Sequence, residues 1–125
     1  MNDCQRVTSI ADGWITEAIA NQDVPAGEGI DDEFSYALDS LMFTEPANGW
    51  AVLKAISQDH RVDVVDDVFG MGPLSSFVLN HGTDFQKPIH DFWRADLRFR
   101  EQYKMVLFCE EAEALISPDN ITGLP

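Results

Sequence analysis

The chain has 125 residues, 45% of them hydrophobic, with 22 acidic groups against eight basic ones and a formal charge of −14. That length and apolar content predict one domain with a real core, and the charge excludes a protein that grips nucleic acid by neutralising phosphates and disfavours an anionic membrane surface. No apolar run approaches the ~18 residues of a membrane-spanning helix, and Met1-Asn2-Asp3-Cys4-Gln5-Arg6 has neither the basic segment nor the apolar core of a secretion signal, so a cytoplasmic protein is expected.

Helical periodicity dominates from the start. Between residues 8 and 20, Ile10, Trp14, Ile15, Ala18 and Ile19 make one stripe interrupted only by Gly13, and residues 21–29 have loop composition. Asp31 or Asp32 is placed to cap a second helix whose buried face is Phe34, Ala37, Leu38, Leu41 and Met42. Pro46 suits the first turn of a third, with Ala47, Trp50, Leu53 and Ile56 inward. Asp59 caps a short fourth segment. Its β-branched residues suit a strand, but Val62, Val65, Val68 and Phe69 at offsets 0, 3, 6 and 7 fit a helix better, and helix is the expectation. Gly70-Met71-Gly72 reads as a break before a helix opened by Pro73, with Leu74, Phe77 and Val78 inward and Gly82 as its C-terminal glycine. Asp84 caps the next, with Ile89, Phe92 and Trp93 inward. Asp96 starts another carrying Leu97, Phe99, Tyr103, Val106 and Leu107. Residues 110–115 extend that helix or stand apart, and 117–125 read as a tail. The expected fold is all-α: a single compact domain of five to seven short helices stacked as HEAT-like hairpins, with Trp14, Leu38, Trp50, Leu53, Phe77, Phe92 and Trp93 in the core.

Within this order stand Glu45-Pro46-Ala47-Asn48-Gly49-Trp50, Gly72-Pro73-Leu74-Ser75-Ser76-Phe77-Val78, Asn80-His81-Gly82 and Asp96-Leu97-Arg98-Phe99-Arg100. Over roughly residues 31–107 the chain resembles a family of short bacterial helical proteins of unknown function, whose signature is acid-Pro-x-x-x-Trp, Gly-Pro-Leu-Glu and a His-Gly turn. Ser75 stands at the Glu position. The resemblance implies a helical fold and a bacterial origin, and no activity.

Chemistry-bearing motifs are sparse. Cys4 and Cys109, far apart and without a second pair, read as two unpaired thiols. Asp59, Asp63 and Asp66 or Asp67 would share one helix face, a spacing that suits Mg²⁺ or Ca²⁺ but suits a solvated or partner-facing acidic surface better. His90-Asp91, with His60 and Asp119, is the weaker outline of a metal-dependent hydrolase. Gly70, Gly72 and Pro73 read as a turn rather than an anion-binding helix start. No nucleotide, zinc-protease or nucleophile-elbow motif is present, and no cofactor or metal is expected.

Charge is segregated. Residues 1–67 hold 14 acids against Arg6, Lys54 and Arg61, a net of −11, whereas residues 87–104 hold five bases against three acids, a net of +2. The favoured reading is a non-enzymatic, acidic, immunity-type inhibitor that docks on a basic protein such as a nucleic-acid enzyme or toxin. Asp31, Asp32, Glu33, Asp59, Asp63, Asp66 and Asp67 would supply attraction, and Tyr36 and Phe69 the aromatic anchors. The alternatives are a metal-dependent hydrolase using the carboxylates or the His-Asp pair, and an accessory domain without catalytic activity. Self-repulsion at −14 has a direct consequence: raising salt from low ionic strength to about 0.15 M leaves the melting temperature unchanged or raises it. A thermal melt at the two salt concentrations measures this, and a clear drop contradicts it.

Overall fold

The structure, a computed structural model, describes residues 2–22, 24, 32–107 and 109–116. It is all-α, with no strand among the described residues. In chain order the elements are α1 (Asp3–Asn21), α2 (Glu33–Thr44), α3 (Pro46–Gln58), a 3₁₀ turn (His60–Val65), α4 (Asp66–Phe69), a π turn (Gly70–Leu74), α5 (Ser75–His81), α6 (Gln86–Ala95), α7 (Leu97–Tyr103) and α8 (Cys109–Ile116). Contacts separate two compact units, Met1–Val68 and Phe69–Pro125. The tail expected over 117–125, and most of the loop expected over 21–29, lie outside the described residues.

In the first unit α1, α2 and α3 pack on one another. α1 begins well before its apolar stripe, because Asn2 and Gln5 form a capping box: the Gln5 N–H donates to Asn2 Oδ1 (2.8 Å) and the Asn2 N–H to Gln5 Oε1 (3.2 Å). Gly13 is buried in mid-helix because the Phe34 ring of α2 lies where a Cβ would stand. The start of α2 corrects the capping expectation. Asp32 occupies the N-cap position but makes no side-chain cap bond. Instead Glu17 of α1 accepts the Phe34 N–H on both carboxylate oxygens, at 2.9 and 3.1 Å. An orphan donor at a helix start takes whatever acceptor tertiary packing brings to it. Leu38, Leu41 and Met42 of α2 meet Trp50, Val52, Leu53 and Ile56 of α3 in the core, each fully buried side chain contributing about 1.5–3 kcal/mol.

The ambiguous stretch at 62–69 is helical, with a tighter turn than expected. Val62 and Val65 are both fully buried, three residues apart, the period of a 3₁₀ helix. Val68, expected inward, is 46% exposed, because the backbone passes into α4 at Asp66 and the three-residue period ends there.

In the second unit the Gly-x-Gly-Pro stretch is not the break that its composition predicts. The backbone stays helical from α4 through α5, and Pro73 sits inside the π turn. A wider turn accommodates a proline whose ring would strike the carbonyl four residues back in an α-helix and which has no N–H to offer it. Gly70 is buried because Met105 Cβ and the Gln102 carbonyl occupy the space of a Cβ. Ser75, 2% exposed, donates to the Gly70 carbonyl (2.7 Å) and accepts the Leu107 N–H (2.9 Å). Gly82 ends α5 with right-handed dihedrals rather than the left-handed cap expected; its space is taken by Leu115 of α8. α6 opens at Phe85 without a side-chain cap, so Asp84 does not cap it. Asp96 does cap α7, accepting the Phe99 N–H at 2.9 Å. Leu97 and Leu107, expected inward, are 73% and 58% exposed: Leu97 is the first residue of α7, and Leu107 follows its end. α8 stands apart from α7, and the Tyr103 hydroxyl donates to the Ala112 carbonyl of α8 at 2.5 Å. Of the expected core, Trp14, Leu38, Trp50, Leu53, Phe77 and Phe92 are buried. Trp93 is only half-buried, its ring carrying the Arg100 guanidinium 4.6 Å from the centroid.

The two glycines of the π turn therefore respond differently to a methyl group. Gly70→Ala destabilises by about 1–3 kcal/mol, the cost of overpacking against backbone, although alanine is the better helix former. Gly72→Ala, with open space around it, stays within about 0.5 kcal/mol of wild type. Urea unfolding of both variants checks the contrast.

Candidate functional site

The acidic residues divide once they are placed. Asp32 and Glu33 are exposed at the start of α2, and Asp31 lies outside the described residues. Asp63 and Asp67 are exposed, whereas Asp66 is half-buried. The α-helical spacing expected to put Asp59, Asp63 and Asp66 or Asp67 on one face does not hold, because residues 60–65 turn with three residues per turn rather than 3.6. Asp59 is not a free carboxylate. It accepts the Arg61 N–H at 2.9 Å and the Arg61 guanidinium at 2.8–3.3 Å, and the same guanidinium reaches Asp12 of α1 at 2.8 Å. The Arg61 side chain first, and its backbone N–H second, hold the Asp59 carboxyl below the usual carboxylate range.

Among the described residues no group of three or more His, Cys, Asp or Glu is placed to hold a metal ion. His90 and Asp91 diverge: His90 is 5% exposed and stacks on Trp93, while Asp91 is exposed and pairs with Lys87 at 3.1 Å. His60 belongs to the first unit, and Asp119 lies outside the described residues. No described helix is long and apolar enough to cross a membrane. Cys4 is exposed and free of any disulfide.

Of the two aromatic anchors expected, Phe69 is corrected: it is fully buried. It closes α4 at the turn where the chain enters the π segment, and its ring offers no exposed surface for docking. Tyr36 is 69% exposed, and a residue overlooked in the sequence, Phe43, is 82% exposed. The two are seven residues apart, so they stand on one side of α2 about 10 Å apart along the axis. Leu38, Leu41 and Met42 occupy the other side. Asp32, Glu33, Asp39 and Ser40 fall at helical spacings around the exposed pair. Desolvation raises the Asp39 carboxyl above its usual range, the condition in which a carboxylate gains most from an incoming cation. The signal for Phe43 was in the sequence: it stands two turns from Tyr36 and off the Leu38–Met42 stripe.

No protein-family model, curated protein or solved structure matches the chain.

The Asp59–Arg61 contact gives a pH-dependent expectation. A carboxyl held low in the folded state contributes stability above its unfolded value, about pH 4, and loses that contribution as pH falls through the folded value. Asp59→Ala therefore destabilises by about 1 kcal/mol at neutral pH, the usual loss of a cap, and the gap to wild type narrows below about pH 4. Urea unfolding at pH 7, 5 and 3 (all within ordinary buffers) follows the difference.

Proposed function

We propose that the chain is a small acidic binding protein, an inhibitor of the immunity-protein kind, that docks on a basic partner such as a nucleic-acid enzyme or a toxin. The observation that carries this reading is the outward face of α2. Two large aromatic side chains stand in solvent on a helix whose opposite face is buried, and acids surround them. An exposed Phe and Tyr at i and i+7 have no use in the packing of α2 itself, whereas paired aromatic anchors are the usual source of interface affinity. Each buries about 150–250 Å² when covered, so together they supply roughly half of a standard patch of about 800 Å² per partner.

The two kinds of residue divide the work. The surplus of acid speeds encounter with a cationic surface and makes it sensitive to salt. The aromatic pair slows dissociation, because that step requires the buried rings to be rehydrated.

The test uses the full chain as bait in cell extract beside a Tyr36→Ala/Phe43→Ala double variant. Both positions are exposed, and circular dichroism verifies that the variant folds. The expected result is a basic protein held by wild type and bound at least about ten-fold more weakly by the variant. With that protein purified, Asp32→Asn, Glu33→Gln and Asp39→Asn together slow association several-fold and flatten its salt dependence. Retention of the same proteins in the same amounts by both baits overturns the proposal.

A further inference from the structure

The second unit contains a pocket of about 350 Å³ formed by the end of α6, α7 and α8. Its floor is apolar and already buried: Val106 and Ala112 are each 2% exposed and Tyr103 6%. Leu97 and Trp93 supply larger apolar walls. Arg100, Glu101, Lys104 and Glu113 supply a charged rim, and a concavity of a few hundred cubic ångströms that joins an apolar floor to polar groups is the usual form of a small-molecule site.

Arg100 is the polar group that gives the pocket its chemistry. Its Nε donates to the Trp93 carbonyl at 2.8 Å and its Nη2 to the Arg94 carbonyl at 2.9 Å. These bonds, with the ring contact to Trp93, hold the guanidinium in place at the C-terminal end of α6. Both acceptors are neutral. In a chain of charge −14, this pocket-lining guanidinium pairs with no carboxylate among the described residues. The Trp93 ring is fixed as well, stacked with His90 at 6.3 Å. One turn on, Lys104 adds a second cation from the same helix face; it is held loosely by Glu101 at 3.1 Å, with both side chains more than two-thirds exposed. With Glu101 paired to Lys104, Arg100 is the unpaired charge of the α7 side, and the other lining carboxylate, Glu113, comes from α8.

We propose that this pocket binds an amphipathic organic anion, an aromatic carboxylate whose ring lies on the Val106–Ala112 floor and whose carboxylate is bound by Arg100. A guanidinium with donors to spare, and with no carboxylate of the described residues bonded to it, is the group best matched to a carboxylate. The apolar floor favours an anion that carries a ring over a simple inorganic anion, which would leave that surface uncovered. The site belongs to the second unit and does not rest on the docking face of α2.

Naphthoate and its neutral analogue naphthamide are the probes, titrated into the full chain by calorimetry and by the shifts of the indole N–H signals in NMR. Naphthoate is expected to bind saturably below millimolar concentration and to move one indole signal, and naphthamide to bind about ten-fold more weakly. Arg100→Gln lowers naphthoate affinity to that of naphthamide and leaves naphthamide unchanged. Because Arg100 also holds the end of α6, Leu97→Asp is the second variant: it lies at an exposed wall position, puts a like charge beside the ligand, and is expected to abolish naphthoate binding while the fold is retained. Absence of saturable binding, equal affinity for the two probes, or wild-type affinity in Leu97→Asp overturns the proposal.

Discussion

Cations are scarce, and where they are used decides how the first unit presents its charge. Its 14 acids before residue 68 face only Arg6, Lys54 and Arg61. Arg6 of α1 binds Asp3 at 3.1 Å and Glu45 at 2.6 Å; Arg61 binds Asp59 and Asp12, each at 2.8 Å. Glu45 and Asp59 are the residues that flank α3 at its start and its end. Two arginines thus tie α1 to both ends of α3. The Arg6 side chain, followed by the Asn48 amide, holds the Glu45 carboxyl below its usual range. Exposed ion pairs of this kind contribute little energy, roughly 0–1 kcal/mol. Burial of Trp14, Leu53 and Ile56 supplies the stability, and the arginines neutralise carboxylates where α1 meets the two ends of α3. Spent there, they leave Asp32, Glu33 and Asp39 on α2 without a cationic partner among the described residues. The same scarcity leaves the acids of α2 facing solvent.

The second unit is governed by close backbone approach. Gly70 lies against Gln102 and Met105, Gly82 against Leu115, and the Ser75 hydroxyl joins the Gly70 carbonyl to the Leu107 amide. Each contact depends on a residue with no side chain or only a hydroxymethyl, and each brings a later segment onto the π turn or α5. A buried hydroxyl that both donates and accepts is satisfied without a charge, which suits Ser75 to a position with no room for a longer polar group. On the far side of this packing, α7 and α8 meet through the Tyr103–Ala112 hydrogen bond, with burial pushing the Tyr103 phenol up. The pocket beside Arg100 is lined by both residues of that contact and by Trp93 of α6.

The sequence by itself determined the fold class, the position of most helices and most of the core. These depend on local periodicity: a stripe such as Leu38, Leu41 and Met42 recurs within a few residues and needs no knowledge of its partner. It also determined that Tyr36 stands off the buried face of α2, and Phe43 was legible by the same rule. Tertiary structure decided what depends on residues distant in sequence. Glu17 caps α2 from fifteen residues before its N-cap position, Gly70 marks a close approach by Gln102 and Met105 rather than a break, and Arg61 takes Asp59 out of the acidic surface. Phe69 is buried and Trp93 half-exposed for the same reason: a side chain's place on its own helix tells which way it points, but what covers it belongs to another segment. Hydrogen-bond acceptors, cations and covering surface are supplied across the chain, and a periodic pattern carries no information about which segment supplies them.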